Sequence, residues 1–326
     1  MDRRTFIGSS IGGCALLSSF TARAQDKLPE GQLNIYLGFP AGSATDATGR
    51  AIAERLRTEL GRPVIIMNQP GATGMISLER LKRAPADGTV IGLVPLTSGL
   101  IAPMFRTKVD FNLLNDYDPI AMVGHYALAF SVANKLPVED WKGFVQWAKA
   151  NPNELFYGHG GPGSMAQLVG AAMAGATGLK FQDVPFKGDT DSLSAVVGGQ
   201  VQTAISSTVA VSAQHQAKRL KVLAVTSRER APGLPDVPTF VELGYPTAVS
   251  EPWMAFFAPK GTPPQAVAEW NRALNVVLQT GDFRQSLSRQ GYTVAGGTPA
   301  ALKETVASET VRWRKVMDAA GFKPLD

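Results

Sequence analysis

Phe39-Pro40-Ala41-Gly42-Ser43-Ala44-Thr45-Asp46 places a glycine and small hydroxyl residues between an apolar run, Leu33 to Leu37, and a helical pattern starting near Asp46. A strand, a small polar turn and a helix start can together hold an anion. The first helical turn has unpaired N–H groups and carries about half a positive charge, so a carboxylate or phosphate binds there without Lys or Arg. Capping by Ser43 or Thr45 is the simpler use of the same residues. The recurrence of the pattern argues for a site. Asn68 to Gly74 follows the apolar run Val64 to Met67, and Thr97-Ser98 follows Val90 to Leu93. Further on, His159 to Ser164 follows Leu155 to Tyr157, Lys187 to Thr190 follows Val184 to Phe186, and Ser206-Ser207-Thr208 follows Val201 to Ile205.

Other chemistries fit less well. His159-Gly160-Gly161-Pro162-Gly163 is similar to the oxyanion turn of some α/β-hydrolase aminopeptidases, but that mechanism needs Gly-x-Ser-x-Gly followed by an acid and a His. The only such string is Gly8-Ser9-Ser10-Ile11-Gly12 near the N-terminus, and no His follows His215. No catalytic residue is assigned. The three histidines, His125, His159 and His215, lack ligand spacing, so neither a metal nor another cofactor is expected. His125, in an apolar segment, reads as a core histidine, and His215, between Gln214 and Gln216, as part of a solvated face. His159 can either donate to a carboxylate or brace its loop. Lys187 can read the ligand or pair with Asp189 or Asp191, and Trp253 with Phe256-Phe257 can wall a ligand or fill a strand core.

These turns need a frame. A chain of 326 residues exceeds a comfortable single core, which predicts two domains. Short β-like runs alternate with helical ones, the signature of α/β sheets. Residues 26–125 with 251–326 read as the first domain and 126–250 as the second. The long apolar segment Pro119 to Ala133 would cross between them, and Trp253 to Ala258 would be the return crossing. Helical patterns over Val267 to Leu278, Phe283 to Gln290 and Leu302 to Met317 complete the first domain. Two such domains place their turns face to face across a cleft, where ligands of open α/β sheets bind.

Composition sets the address. Hydrophobic residues make up 44% and charged residues 18%, as in a globular protein, and the formal charge of +5 is too small to imply nucleic acid. Residues 1–24 read as an export signal: Arg3-Arg4 before Phe6-Ile7, an apolar stretch from Ile7 to Phe20, then Ala22-Arg23-Ala24 as the cleavage site. The paired arginines match a twin-arginine signal, with an ordinary secretory signal as the alternative and a lipoprotein signal at Cys14 less well matched. The apolar stretch falls short of the roughly 20 residues that span a bilayer. Cys14 is the only cysteine, so a chain cleaved after Ala24 has no disulfide or thiolate site.

Along the chain stand, in order, Phe39 to Asp46, Pro70 to Gly74, Pro85-Ala86-Asp87-Gly88, Tyr157 to Ser164, Val184 to Gly188, Gly198-Gly199-Gln200-Val201, Leu223 to Ser227, Leu234 to Thr239 and Phe257 to Pro264. Together these strings resemble the Bug family, the extracytoplasmic solute receptors of tripartite tricarboxylate transporters. The resemblance implies a type II periplasmic-binding fold, two α/β domains joined by two crossing strands and closing on a small carboxylate. It implies a periplasmic, monomeric receptor whose partners are the ligand and the membrane components of the transporter. A sensor presenting its ligand to a signalling partner is the alternative.

Carried over by position, the family's contacts fall on Gly42, Ser43, Ala44, Thr45 and Asp46, on Gly71, Ala72, Thr73 and Gly74, and around His159, Gly161, Gly163, Ser164, Lys187, Gly188 and Asp189. Thr97, Ser98 and Ser207 join them as helix-start residues of the same pattern. The chain departs from the family at Gly42-Ser43, where two glycines are common, and at Asp189-Thr190-Asp191, where small residues and Pro are common. It also has Ser206-Ser207-Thr208 where relatives often carry an acid. The missing acid predicts a carboxylate ligand without an amino group, an expectation that tighter binding of aspartate than of succinate would overturn.

Overall fold

Burial alternates along β1 (Leu33–Leu37) as one face packs on α1 (Ala44–Leu60). The next strands, β2 (Val64–Asn68) and β3 (Val90–Pro95), pair parallel with β1, and α2 (Met75–Lys82) connects them. β3 is buried at every position because both faces of the sheet are covered there. A turn of π-helix, Thr97–Ile101, follows β3 and runs into the short α3 (Ala102–Met104). The computed structural model describes residues 28–319 and Pro324, so the expected export signal and its cleavage site lie outside the described residues.

The apolar segment after residue 116 is two strands. β4 (Tyr117–Tyr126) belongs to the first sheet and β5 (Leu128–Ala133) to the second, and Ala127 is the crossing point. The second sheet has the order β7-β6-β8-β5-β9, built from β6 (Phe156–His159), β7 (Gln182–Pro185), β8 (Thr203–Ser207) and β9 (Leu220–Val225). Its helices are α4 (Trp141–Ala150), α5 (Met165–Thr177), α6 (Asp189–Val197) and α7 (Thr208–Gln216).

The return crossing differs from the expectation. β10 (Trp253–Pro259) lies wholly in the first sheet, antiparallel to β3 and β4, and the crossing is made by the irregular stretch of residues 226–252. Its backbone runs beside the outgoing strand: Thr226 N–H donates to Leu128 O at 2.8 Å, and Tyr126 N–H to Pro252 O at 2.9 Å. The chain ends with α8 (Pro264–Gln279), α9 (Gly281–Arg289), β11 (Tyr292–Gly296) and α10 (Pro299–Ala319), giving the first sheet the order β11-β4-β10-β3-β1-β2.

Leu33, Ile52, Phe256 and Trp270 pack within the first lobe, and Leu193, Val196, Val211 and Leu234 within the second. A third cluster crosses between them, joining Val94, Leu100 and Phe105 to Phe130, Trp141, Phe144 and Leu223, with Val306 and Trp313 of α10 alongside. Trp253, Phe256 and Phe257 are at most 1% exposed, so they fill the core and form no ligand wall. His125 is half-buried beside Glu251 O. His215 is no solvated side chain: its Nδ1 accepts from Val222 N–H at 3.2 Å, and partial burial moves its pKa below the ordinary value.

Candidate functional site

A cavity of about 400 Å³ lies between the lobes at the carboxyl ends of both sheets. Gly42, Ser43, Ala44, Thr45, Thr73 and Thr97 line it from the first lobe; Ser164, Lys187, Gly188, Asp189, Asp191 and Ser207 line it from the second.

The first-lobe turn opens a helix N-terminus to the cavity. Ser43 caps α1, its Oγ accepting from Asp46 N–H at 3.2 Å, which leaves Ala44 and Thr45 N–H at the open end of a seventeen-residue helix. Asp46 does not face the cavity. It is 3% exposed, and its carboxylate accepts from Gly42 N–H (2.9 Å), Arg50 Nε (2.9 Å) and Asn68 Nδ2 (2.8 Å). Burial works to raise this carboxyl, but those hydrogen bonds and the Arg50 charge prevail and hold it below the ordinary carboxylate range. Asn68 also donates to Phe39 O at 3.0 Å, so the Asp46–Asn68–Arg50 group sets the shape of the loop.

The second turn is a run of positive φ: Gly71 (134°), Ala72 (47°), Thr73 (55°) and Gly74 (88°). Two of these residues are not glycine, so the surrounding structure must impose the conformation. The result aims Thr73 at the other lobe, where its Oγ1 donates to Pro162 O at 3.1 Å. Gly71, Ala72 and Gly74 do not line the cavity. Gly74 is a packing residue: a Cβ at Gly38 would sit 2.5 Å from Gly74 Cα, and a Cβ at Gly74 would sit 2.3 Å from Ser98 Oγ. Ser98 is itself buried beneath these turns, which takes it out of the site.

In the second lobe His159 braces its loop. It is fully buried, with Nδ1 3.0 Å from Gly161 O and 3.1 Å from Ser164 Oγ, and Nε2 3.1 Å from Asp183 Oδ2. Neither His159 nor Gly161 nor Gly163 lines the cavity, whereas Gly160 does. Ser164 caps α5, as Ser207 caps α7, so each brings a helix N-terminus to the cavity wall. Lys187 makes no ion pair with Asp189 or Asp191 among the described residues, and it stands exposed at the cavity wall. Asp189 Oδ2 instead accepts from Ser207 N–H at 2.8 Å. Burial raises the Asp189 carboxyl above its ordinary value, although some of its surface remains open to the cavity.

The sequence reading missed the floor. Tyr126, Leu128, Met165, Val209, Met254 and Tyr292 give the cavity an apolar base. The Tyr126 and Tyr292 rings meet edge-on, with centroids 5.8 Å apart at 75°, and burial pushes both phenols well above the usual range. Both lie at strand ends, and nothing in periodicity tells which strand-end side chain overhangs a cleft. Among the described residues no acidic or histidine cluster could hold a metal.

The arrangement can bind an organic anion with an apolar body; Ser164 Oγ, although 3.1 Å from His159 Nδ1, is engaged as the cap of α5, accepting from Gln167 N–H at 3.3 Å. The profile of the Tripartite tricarboxylate transporter family receptor matches residues 48–322. The Bordetella pertussis protein BugT is 32% identical over 302 residues, 91% of this chain and 92% of BugT. Among solved structures, an R. palustris protein with adipate has a TM-score of 0.87 at 29% identity, covering 91% of this chain and 99% of its own. The periplasmic binding protein BugD has a TM-score of 0.85 at 28% identity, covering 91% of this chain and 100% of its own. The Rhodopseudomonas palustris protein MatC with bound malate has a TM-score of 0.82 at 27% identity, covering 89% of this chain and 99% of its own. With its two-lobed α/β architecture and a cavity between the lobes, the chain belongs to the Bug family of tripartite tricarboxylate transporter receptors.

Proposed function

We propose that the protein is a periplasmic solute-binding receptor that captures a small organic carboxylate between its lobes and delivers it to the membrane components of a tripartite tricarboxylate-type transporter. The chain would act as a monomer after removal of its export signal near Ala24, with residues 26–125 and 251–326 closing on residues 126–250. It performs no chemistry on the ligand. One observation carries the reading: the N-termini of α1 and α5, capped by Ser43 and Ser164, converge on a single cavity between the lobes. The adipate and malate held by relatives support the same ligand class. Thr45, Thr73 and Thr97 supply further hydroxyl groups at the wall, and ligand bridging both lobes would favour the closed arrangement that a transporter recognises.

Thermal unfolding of the mature chain against carboxylates, amino acids, sugars and neutral amides tests this. A ligand at a hundredfold excess over its dissociation constant adds about 2.7 kcal/mol of stability, a readily measured rise in Tm. Stabilisation confined to carboxylate-bearing compounds is expected, and stabilisation by sugars or amides alone would overturn the reading.

A further inference from the structure

The second-lobe wall has three helix N-termini, and they are not equivalent. Those of α5 and α7 are capped by Ser164 and Ser207, while α6 begins with Asp189 and Asp191 in its own first turn. Asp189 reaches across to α7, where its Oδ2 takes Ser207 N–H at 2.8 Å. A carboxylate of the protein thus already stands at the place where a helix start would otherwise receive an anion. The neighbouring loop makes room for it: a Cβ at Gly160 would lie 2.9 Å from Asp189 Oδ1. The same Asp189 lines the cavity and lies near enough to Tyr126 for its charge to act on that phenol.

We propose that Asp189 is the specificity-determining residue of this cleft, selecting a monocarboxylate whose far end carries an ammonium or hydroxyl donor over a dicarboxylate of the same length. The inference rests on the solute-receptor reading above. A ligand carboxylate takes the open starts of α1 or α5, its apolar body lies over Tyr126, Met254 and Tyr292, and its donor meets Asp189. A second ligand carboxylate placed there would face the protein's own, an unpaired like-charge contact that excludes it. The expectation of a ligand without an amino group rested on the absence of an acid after Ile205. Asp189 restores an acid at that place from another part of the chain, because its carboxylate is bonded to the backbone of Ser207 itself.

Isothermal titration of the mature chain with matched pairs tests the assignment: succinate, glutarate and adipate against 3-aminopropanoate, 4-aminobutanoate and 5-aminopentanoate, with the corresponding ω-hydroxy acids, and terephthalate against 4-aminobenzoate. Within at least one pair the donor-tipped acid should bind the wild type about tenfold or more tightly than the diacid, the scale of one charge-assisted hydrogen bond. In Asp189→Asn that preference should collapse or reverse, and Asp189→Ser serves as an independent replacement should Asn fold poorly. Diacids that bind the wild type as tightly as their donor-tipped partners, or a preference unchanged in both variants, would overturn the role of Asp189 while leaving the receptor intact. Silence of every carboxylate with wild type and variants alike would overturn the receptor reading and this inference together.

Discussion

At the scale of single residues, two aspartates that the sequence placed in the same class have opposite roles. Asp46 is buried, and three donors converge on its carboxylate. Asp46→Ala leaves Gly42 N–H and one of the two Asn68 amide N–H groups without an acceptor, a loss of about 1–3 kcal/mol that urea unfolding will show, with weaker carboxylate binding as the loop relaxes. Because the folded-state pKa of Asp46 lies below its ordinary 3.8, its contribution is complete above that pH and is lost as the pH falls through the lowered value. The stability difference between wild type and Asp46→Asn should therefore shrink in acid. Asp189 has the reverse sign. Its raised pKa means that holding the charge weakens the fold at neutral pH, a penalty that disappears below the ordinary 3.8. Asp189→Asn, which keeps an acceptor for Ser207 N–H, is expected to raise the ligand-free Tm at pH 7 by about 1–3 °C and to lose that advantage in acid. Calorimetric scans across pH check both signs.

At the scale of elements, the turns of the first lobe are held as one unit. Gly38 and Gly74 touch backbone to backbone, so Gly38→Ala would drive a methyl into Gly74 Cα and push two neighbouring loops apart. Overpacking of this kind costs about 1–3 kcal/mol, and here a fall in Tm should accompany a loss of carboxylate affinity. Thr73 belongs to the other side of the same unit. Its φ of 55° is unfavourable for a β-branched residue and persists because the hydroxyl clasps Pro162 O on the opposing lobe. Thr73→Ala removes the clasp at a cost of about 0.5–1.5 kcal/mol, which should appear as a two- to tenfold weaker ligand affinity with faster dissociation; Thr73→Ser should keep the affinity. Stopped-flow release of bound ligand separates the two variants.

At the scale of the whole molecule, the cluster joining Val94 and Phe105 to Phe130 and Trp141 makes the lobes share a core instead of merely touching. Thermal unfolding should accordingly follow one transition, with near- and far-ultraviolet circular dichroism coinciding; two separated transitions would show the lobes to be independent. Much of this architecture could be read from the chain. Alternating strands and helices, the small polar turns after β1, β2, β6 and β8, and a long apolar crossing segment between Pro119 and Ala133 all leave local signatures, because periodicity, glycine and helix caps act within a few residues of one another. The sequence also assigned the turns of Ser43, Thr45, Ser164 and Ser207 to the ends of helices, which is where they stand. It did not decide which members of each turn face the cavity. Asp46, Ser98 and His159 have the right chemistry and sit in the right turns, yet Asp46 and His159 are turned inward by partners elsewhere in the chain, at Asn68 and Asp183, and Ser98 is buried by the packing of the turns above it. Tyr126 and Tyr292, which form the floor, are 166 positions apart and carry no common pattern. What the sequence by itself determined is the set of strands, helices and capped turns from which a carboxylate site can be made. The tertiary structure decided which side chains remain free to meet a ligand, because burial and hydrogen bonding between distant segments had first claim on the rest.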